Sequence, residues 1–322
     1  MNESALSRRE RLLGGLWGAM VGDALGVPVE FQSRASLDRD PVADLREYGT
    51  HRQPRGTWSD DSSLLLCSAE SLLGGFDTDD LGRRFVRWYH EAHWTPWGEV
   101  FDIGGATREA IANLARGGPA EEAGPRHEYS VGNGSLMRIL PLALYSASAA
   151  TPELLDRAHR ASAVTHGHPR AQMACGIYCL VAVRLLNGAD PASAYADAAE
   201  QARRHYATSP YTDELPHFAR LLSGNLRRLG RARIESSGYV LHTLEASLWC
   251  LLRADSYRAA VLAAVNLGDD TDTTGTVTGG LAGLRWGLAA VPAEWRQALA
   301  RRDDVAALFE RFAAAVEAAE TQ

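Results

Sequence analysis

The chain has 322 residues, 46% of them hydrophobic, and a formal net charge of -7, which is enough apolar material for a large core and too acidic a balance for a broad grip on nucleic acid. All 33 basic residues are arginine, so enzymes that need a lysine on a nucleotide phosphate or a lysine amine as nucleophile are excluded. The four cysteines, Cys67, Cys175, Cys179 and Cys250, sit in apolar stretches without C-x-x-C spacing, and they read as small core residues of a reducing compartment rather than as a zinc site or disulfide framework.

The apolar run 12–21 follows Arg8, Arg9 and Arg11 and is ended by Asp23. It reads as too short and too glycine-rich to span a membrane, and no signal-peptide cleavage pattern follows it. A cytoplasmic protein with no membrane partner is therefore expected. Further on, apolar residues recur three and four apart, as at Leu64, Leu65, Cys67, Ser68 and Leu72, or Val240, Leu244, Leu248, Leu251 and Leu252. That is the period of buried helices. Alternating strand-like runs are nearly missing. The breaks carry turn residues: Gly74-Gly75, Gly117-Gly118-Pro119, Asn187-Gly188 and Asp190-Pro191. The expected fold is all-α, a single domain over 1–322 made of about ten helices, with an amphipathic last helix over 305–319.

Two acidic clusters lie where apolar helices begin. The first, Thr57-Trp58-Ser59-Asp60-Asp61-Ser62, runs into Leu64-Leu65-Leu66; the second, Gly268-Asp269-Asp270-Thr271-Asp272-Thr273-Thr274-Gly275, runs into a glycine-rich helix over 277–288. Either cluster alone reads as a helix cap. Capping needs only one or two such side chains, and like charge at this density raises pKa values and costs stability unless a cation neutralises it. Carboxylate and hydroxyl oxygens suit Mg²⁺ or Mn²⁺, and two clusters about two hundred positions apart suggest one site closed from both ends of the chain. Gly275, Gly279, Gly280 and Gly283 are costly inside a helix, at about 1 kcal/mol each against alanine. Their expected use is close helix packing beneath the metals.

These residues resemble the signature of the ADP-ribosylglycohydrolase family, in order along nearly the whole chain. Gly18-Ala19-Met20-Val21-Gly22-Asp23-Ala24-Leu25-Gly26 with Pro28-Val29-Glu30-Phe31 resembles its first helix and metal-site glutamate. Ser59-Asp60-Asp61 resembles its Thr-Asp-Asp, with serine in place of threonine, and Asp270, Asp272 and Thr273 fall on its Asp-x-Asp-Thr motif. Phe101-Asp102-Ile103-Gly104 resembles the segment that carries an acidic residue beside the metals in members acting on ADP-ribosylated arginine. Gly132-Asn133-Gly134-Ser135-Leu136-Met137-Arg138 resembles the loop around the ribose and diphosphate, and Thr165-His166 and Gly238-Tyr239 resemble the far end of the nucleotide pocket.

The resemblance implies a compact helical bundle with a central two-metal cleft. In it Glu30, Ser59, Asp60, Asp61, Asp270, Asp272 and Thr273 hold two divalent cations, Mg²⁺ or Mn²⁺. Asp102 or Glu30 acts as general base or acid, and Gly104, Gly105, Gly132, Asn133, Gly134, Ser135, Met137, Arg138, His166 and Tyr239 bind substrate. The expected reaction is hydrolysis of ADP-ribose from protein side chains, with arginine preferred because a carboxylate at Asp102 pairs with a guanidinium leaving group. The expected partner is an ADP-ribosylated protein or an ADP-ribose-containing small molecule, with nucleic acid only as an ADP-ribosylated end. Simpler readings stand beside these roles: Asp102 as the cap of a helix starting near Ala106, Arg138 as a buried structural arginine paired with an aspartate, and Asn133-Gly134 as an ordinary turn. Alternatives for the whole chain are an O-linked ADP-ribose hydrolase, a noncatalytic ADP-ribose-binding module, and a two-metal phosphohydrolase, the last disfavoured because no histidine-aspartate metal spacing is present.

Overall fold

Helices account for all the regular structure in the computed structural model, which describes residues 6–208 and 210–320. In chain order they are α1 (Arg8–Gly26), α2 (Arg34–Arg39), α3 (Asp60–Leu72), α4 (Thr78–Glu91), α5 (Gly105–Ala115), α6 (Leu140–Tyr145), α7 (Thr151–Ala163), α8 (Pro169–Leu186), α9 (Pro191–His205), α10 (Val240–Arg253), α11 (Tyr257–Val265), α12 (Thr271–Trp286), α13 (Ala293–Ala298) and α14 (Arg302–Glu320). The described residues contain no strand, and one isolated bridge pairs Gly132 with Tyr239. The helices outnumber the expectation because α2, α6 and α13 have six residues each, too few for an apolar period to register. Of the span 1–322 expected to be one domain, residues 1–5, 209, 321 and 322 lie outside those described. One hydrophobic cluster runs from Leu12 to Val316, and all four cysteines are free and buried in it.

The predicted breaks are the observed ones. Gly74-Gly75 follows α3, Gly117-Gly118 follows α5, Asn187-Gly188 follows α8, and Asp190 caps α9 by accepting from the backbone N–H groups of Ala192 and Ser193. The apolar stretch at the N-terminus is longer than the run 12–21 suggests. Ser7 and Glu10 close a capping box at the start of α1, and the helix carries Asp23 inside it and runs to Gly26. The stretch Arg8–Val29 is in fact long and apolar enough to cross a membrane, and its apolar window is entirely buried inside the protein.

What buries α1 is α12. Gly14, Gly18 and Gly22 recur every four residues along one side of α1, and Gly275, Gly279 and Gly283 do the same on α12. A Cβ placed on Gly22 would lie 2.0 Å from the carbonyl oxygen of Gly275, one on Gly279 would lie 2.2 Å from that of Gly18, and one on Gly283 would lie 1.9 Å from that of Gly14. The two backbones therefore touch with no side chain between them. Gly280 faces the other way, toward Tyr178 and Leu140. At the end of the seam, Gly26 lies against the backbone of Asp272, and the Thr271 hydroxyl donates to the Gly26 carbonyl at 2.8 Å. The contact thus fixes where the second acidic cluster sits relative to the first helix.

We expect Gly279→Ala to destabilise the protein by about 3 kcal/mol or more, because the obstacle to the new methyl is backbone that cannot turn aside. Gly230→Ala, where nothing lies near the added carbon, should change stability by less than about 0.5 kcal/mol. Chemical denaturation of both variants checks the comparison.

Candidate functional site

Both acidic clusters sit at helix N-termini and face each other. Ser59 holds the N-cap of α3, its hydroxyl accepting from the Asp61 backbone N–H at 3.2 Å, so the capping reading is correct for this residue. Asp60 and Asp61 occupy the first turn and are buried. Asp270 occupies the N-cap position of α12 without capping it; its carboxylate accepts from the Asn133 side-chain amide at 2.8 Å instead. The Thr273 hydroxyl donates to Asp61 Oδ2 at 3.4 Å, closing the site across 212 positions of sequence.

Carboxylate oxygens of Glu30, Asp270 and Asp272 lie within 4.8 Å of one another, as do those of Asp23, Asp61 and Asp272. Asp272 belongs to both groups. Three buried oxygens in this cluster, Asp61 Oδ1, Asp270 Oδ1 and Asp272 Oδ2, have no hydrogen-bond partner among the described residues. Buried acceptors are seldom left so. Burial drives the carboxyls of Asp60, Asp61 and Asp272 well above the ordinary range, with neighbouring carboxylates adding to the shift. Burial also raises Asp270. A set of oxygen donors with unpartnered lone pairs and suppressed ionisation fits a hard divalent cation, which satisfies the lone pairs and restores the charge.

Asp23 is not among the ligands expected from the sequence. It accepts from the backbone N–H and hydroxyl of Ser59 and from those of Ser62, at 2.5 to 3.1 Å. With both oxygens committed, it serves as the fixture that locks the N-terminus of α3 to α1, and we assign it that part in preference to ligation. A carboxylate inside an apolar helix is the signal that marks it.

Glu30 follows the short 3-10 helix Val27–Val29 and is buried. The ring of His51 contacts its carboxylate through Nε2, and ligand atoms of Glu30, His51 and Asp102 lie within 4.8 Å of one another. Burial raises Glu30 to about 7, against the lowering effect of His51. No spacing in the sequence announces the His51 partnership. Asp102 does not cap α5: Gly104 holds that position, and no side chain bonds there. It joins the Glu30 group instead. Gly104 and Gly105 are exposed at the helix start.

The predicted substrate loop divides in two. Gly132, Asn133 and Gly134 stand beside the acidic cluster, joined to it by the Asn133 side-chain amide that donates to Asp270. Asn133 N–H donates to the Gly238 carbonyl at 3.1 Å, Val240 N–H donates to the Val131 carbonyl at 3.1 Å, and the half-buried Tyr239 pairs with Gly132. A Cβ on Gly134 would meet the His166 ring at 2.7 Å, so His166 supports this loop from below, and burial pushes its pKa down to about 3. The side chains of Ser135, Met137 and Arg138, expected from the resemblance as substrate contacts, are buried. Ser135 accepts from the Ser162 hydroxyl at 2.9 Å and contacts Cys175. Arg138 donates to the Ala161 carbonyl and the Thr165 hydroxyl and stacks over Phe85, with its pKa lowered by burial to about 10. It is structural, as the simpler reading holds, but its partners are neutral oxygens and a ring, with no aspartate. Arg170, which no motif singles out, pairs with Glu214 at 2.7 Å and Glu128 at 2.8 Å, and donates to the Tyr239 hydroxyl at 3.3 Å.

The whole of this arrangement has relatives. Residues 4–322 match the family model described as ADP-ribosylglycohydrolase, and the chain belongs to that family, hydrolases that act on glycosidic linkages of ADP-ribose. It is 34% identical over 303 residues to "ADP-ribosylarginine hydrolase Tri1" of Pseudomonas putida (strain GB-1), covering 92% of this chain and 76% of that protein. It is 28% identical to the "ADP-ribosyl-[dinitrogen reductase] glycohydrolase" of Rhodospirillum rubrum, covering 90% of each. A solved structure titled "ADP-ribosylglycohydrolase-related protein complex" superposes with a TM-score of 0.80 at 35% identity, over 96% of this chain and 99% of that one.

Asp23, at about 6, and Glu30, at about 7, are both raised by burial. Between the unfolded carboxyl range near 4 and these values, the folded protein holds protons that the unfolded chain has released, so metal-free stability falls as pH rises through that window. In the presence of chelator we expect a lower melting temperature at pH 7.5 than at pH 5.5. Added Mg²⁺ or Mn²⁺ should raise it more at pH 7.5, where the ligands ionise more readily. Scanning fluorimetry at the two pH values reads both effects; equal melting temperatures in chelator would contradict the burial shifts.

Proposed function

We propose that the protein hydrolyses the N-glycosidic bond between ADP-ribose and arginine side chains of a protein substrate, in the cytoplasm. The observation that carries this reading is the place of Asp102: it stands with Glu30 and His51 beside the acidic cluster and takes no part in capping α5. The name of the Pseudomonas relative, an ADP-ribosylarginine hydrolase, supports the same linkage.

Glu30, Ser59, Asp60, Asp61, Asp270, Asp272 and Thr273 are the residues suited to hold two divalent cations, Mg²⁺ or Mn²⁺. When bound, such a pair supplies positive charge that polarises the oxygens it contacts. The protein's own groups do the rest. The Gly132–Gly134 loop, held by Gly238 and supported by His166, offers a backbone surface against which ribose and diphosphate can lie closely, since glycine adds no side chain there. Asp102 pairs with the arginine guanidinium and takes a proton from the attacking water. The C1–N bond breaks as the C1–O bond forms, and the proton passes to the departing guanidine nitrogen. The carboxylates of the site also stabilise the oxocarbenium-like charge at C1.

With an ADP-ribosyl-arginine peptide as substrate, Asp60→Ala and Asp270→Ala should each reduce turnover by about a thousandfold or more while the helical circular dichroism signal is retained. Turnover undiminished by chelator would contradict the metal assignment. Asp102→Asn should lower the rate on the arginine linkage by about a hundredfold or more. Mass spectrometry of arginine-linked and serine-linked peptides side by side checks the preference: faster release from serine by the unaltered protein would refute it.

A further inference from the structure

Phe31, next to Glu30, is an aromatic side chain left 68% exposed, on a backbone in the left-handed region with φ 63°. That conformation is a true outlier for a bulky residue and persists only where its surroundings enforce it. The enforcement is visible: Phe31 N–H donates to the Asp269 carbonyl at 2.7 Å and Asp269 N–H donates to the Gln32 carbonyl at 2.8 Å, and Asp269 is itself left-handed with φ 59°. Two strained residues, one next to Glu30 and one next to Asp270, are thereby fastened to each other. If the only requirement were to place Glu30, glycine at position 31 would meet it without strain. A phenylalanine held there, with its ring in solvent, points to a use for the ring.

The ring's neighbours indicate what that use is. Phe31 lies 6.0 Å from His51, ring centre to ring centre, and His51 lies 5.3 Å from Phe101. At the edge of this aromatic group stand the carboxylates of Glu30 and Asp102. An exposed π face beside two carboxylates is complementary to a planar cation that stacks through its face and donates hydrogen bonds in its plane, which describes a guanidinium. An alcohol leaving group has neither the charge nor the plane. We propose that Phe31 is a specificity-determining residue whose ring receives the guanidinium of the arginine being released, beside Asp102. The inference rests on the arginine reading above and deepens it.

The test compares Phe31→Leu and Phe31→Tyr with the unaltered protein, using metal-loaded enzyme and two readouts: kcat/KM for ADP-ribosyl-arginine and the inhibition constant of free ADP-ribose, which lacks the guanidinium. Leucine carries the same backbone strain and apolar bulk but no π face. For Phe31→Leu, kcat/KM should fall about three- to thirtyfold with the ADP-ribose inhibition constant unchanged, and Phe31→Tyr should restore kcat/KM to near the original value. An unchanged kcat/KM in Phe31→Leu, a parallel loss of ADP-ribose binding, or a tyrosine variant no better than leucine would each overturn the assignment. Failure of the unaltered protein to release arginine at all is a separate outcome; it overturns the proposed reaction, and this inference with it.

Discussion

The contact on which the rest depends is the glycine seam between α1 and α12. A backbone-to-backbone approach of this kind allows no side chain on either surface, so it fixes both the distance between the helices and their register. Register is what the site needs: α1 carries Asp23 and leads into Glu30, while α12 begins at the second acidic cluster. Because Gly26 lies on the backbone of Asp272, a shift of one residue along the seam would move Asp272 out of reach of Glu30. The conformational cost of glycines inside helices is therefore offset by the placement of acidic groups, a functional return that packing alone would not require.

That placement concentrates charge. Six carboxylates, those of Asp23, Glu30, Asp60, Asp61, Asp270 and Asp272, are gathered where burial raises the pKa of every one. Two features make this tolerable. The N-termini of α3 and α12 converge on the cluster, and the positive ends of their dipoles favour negative charge in the first turn. Asp23 is held by four donors from Ser59 and Ser62, which offset part of its desolvation. What remains is the demand of Asp61, Asp270 and Asp272 for a positive partner, and their unpartnered oxygens express it.

The Gly132–Gly134 loop is tied to Gly238 by the Asn133 backbone N–H and rests on a buried, neutral His166. Arg138, beneath it, donates from one guanidinium nitrogen to the Ala161 carbonyl and the Thr165 hydroxyl and thereby joins the loop to the end of α7 and the residues that follow it. The aromatic group of Phe31, His51 and Phe101 stands with the carboxylates of Glu30 and Asp102. In the proposed reaction, the ADP-ribose portion and the leaving group meet separate parts of the structure.

Local physics makes much of this legible in the sequence. The apolar period marks the helices, glycine and proline mark most breaks, and the density of Asp and Thr at 57–62 and 268–275 exceeds what capping requires, so residue chemistry alone pairs the two halves of the cluster. The four-residue glycine spacing on α12 likewise announces a close partner. The tertiary structure alone decides which helix that partner is, since α1 lies some two hundred and fifty residues away and its own four-residue glycine spacing announces a close partner without saying which. It also decides that Asp23 anchors α3, that His51 reaches Glu30, that Asp102 turns toward the cluster instead of capping α5, and that Ser135, Met137 and Arg138 face inward though they share a motif with Gly132, Asn133 and Gly134. In each case the deciding quantity is the direction of a side chain relative to a distant element. A motif fixes residue type and spacing, and direction is set only when the core closes around it.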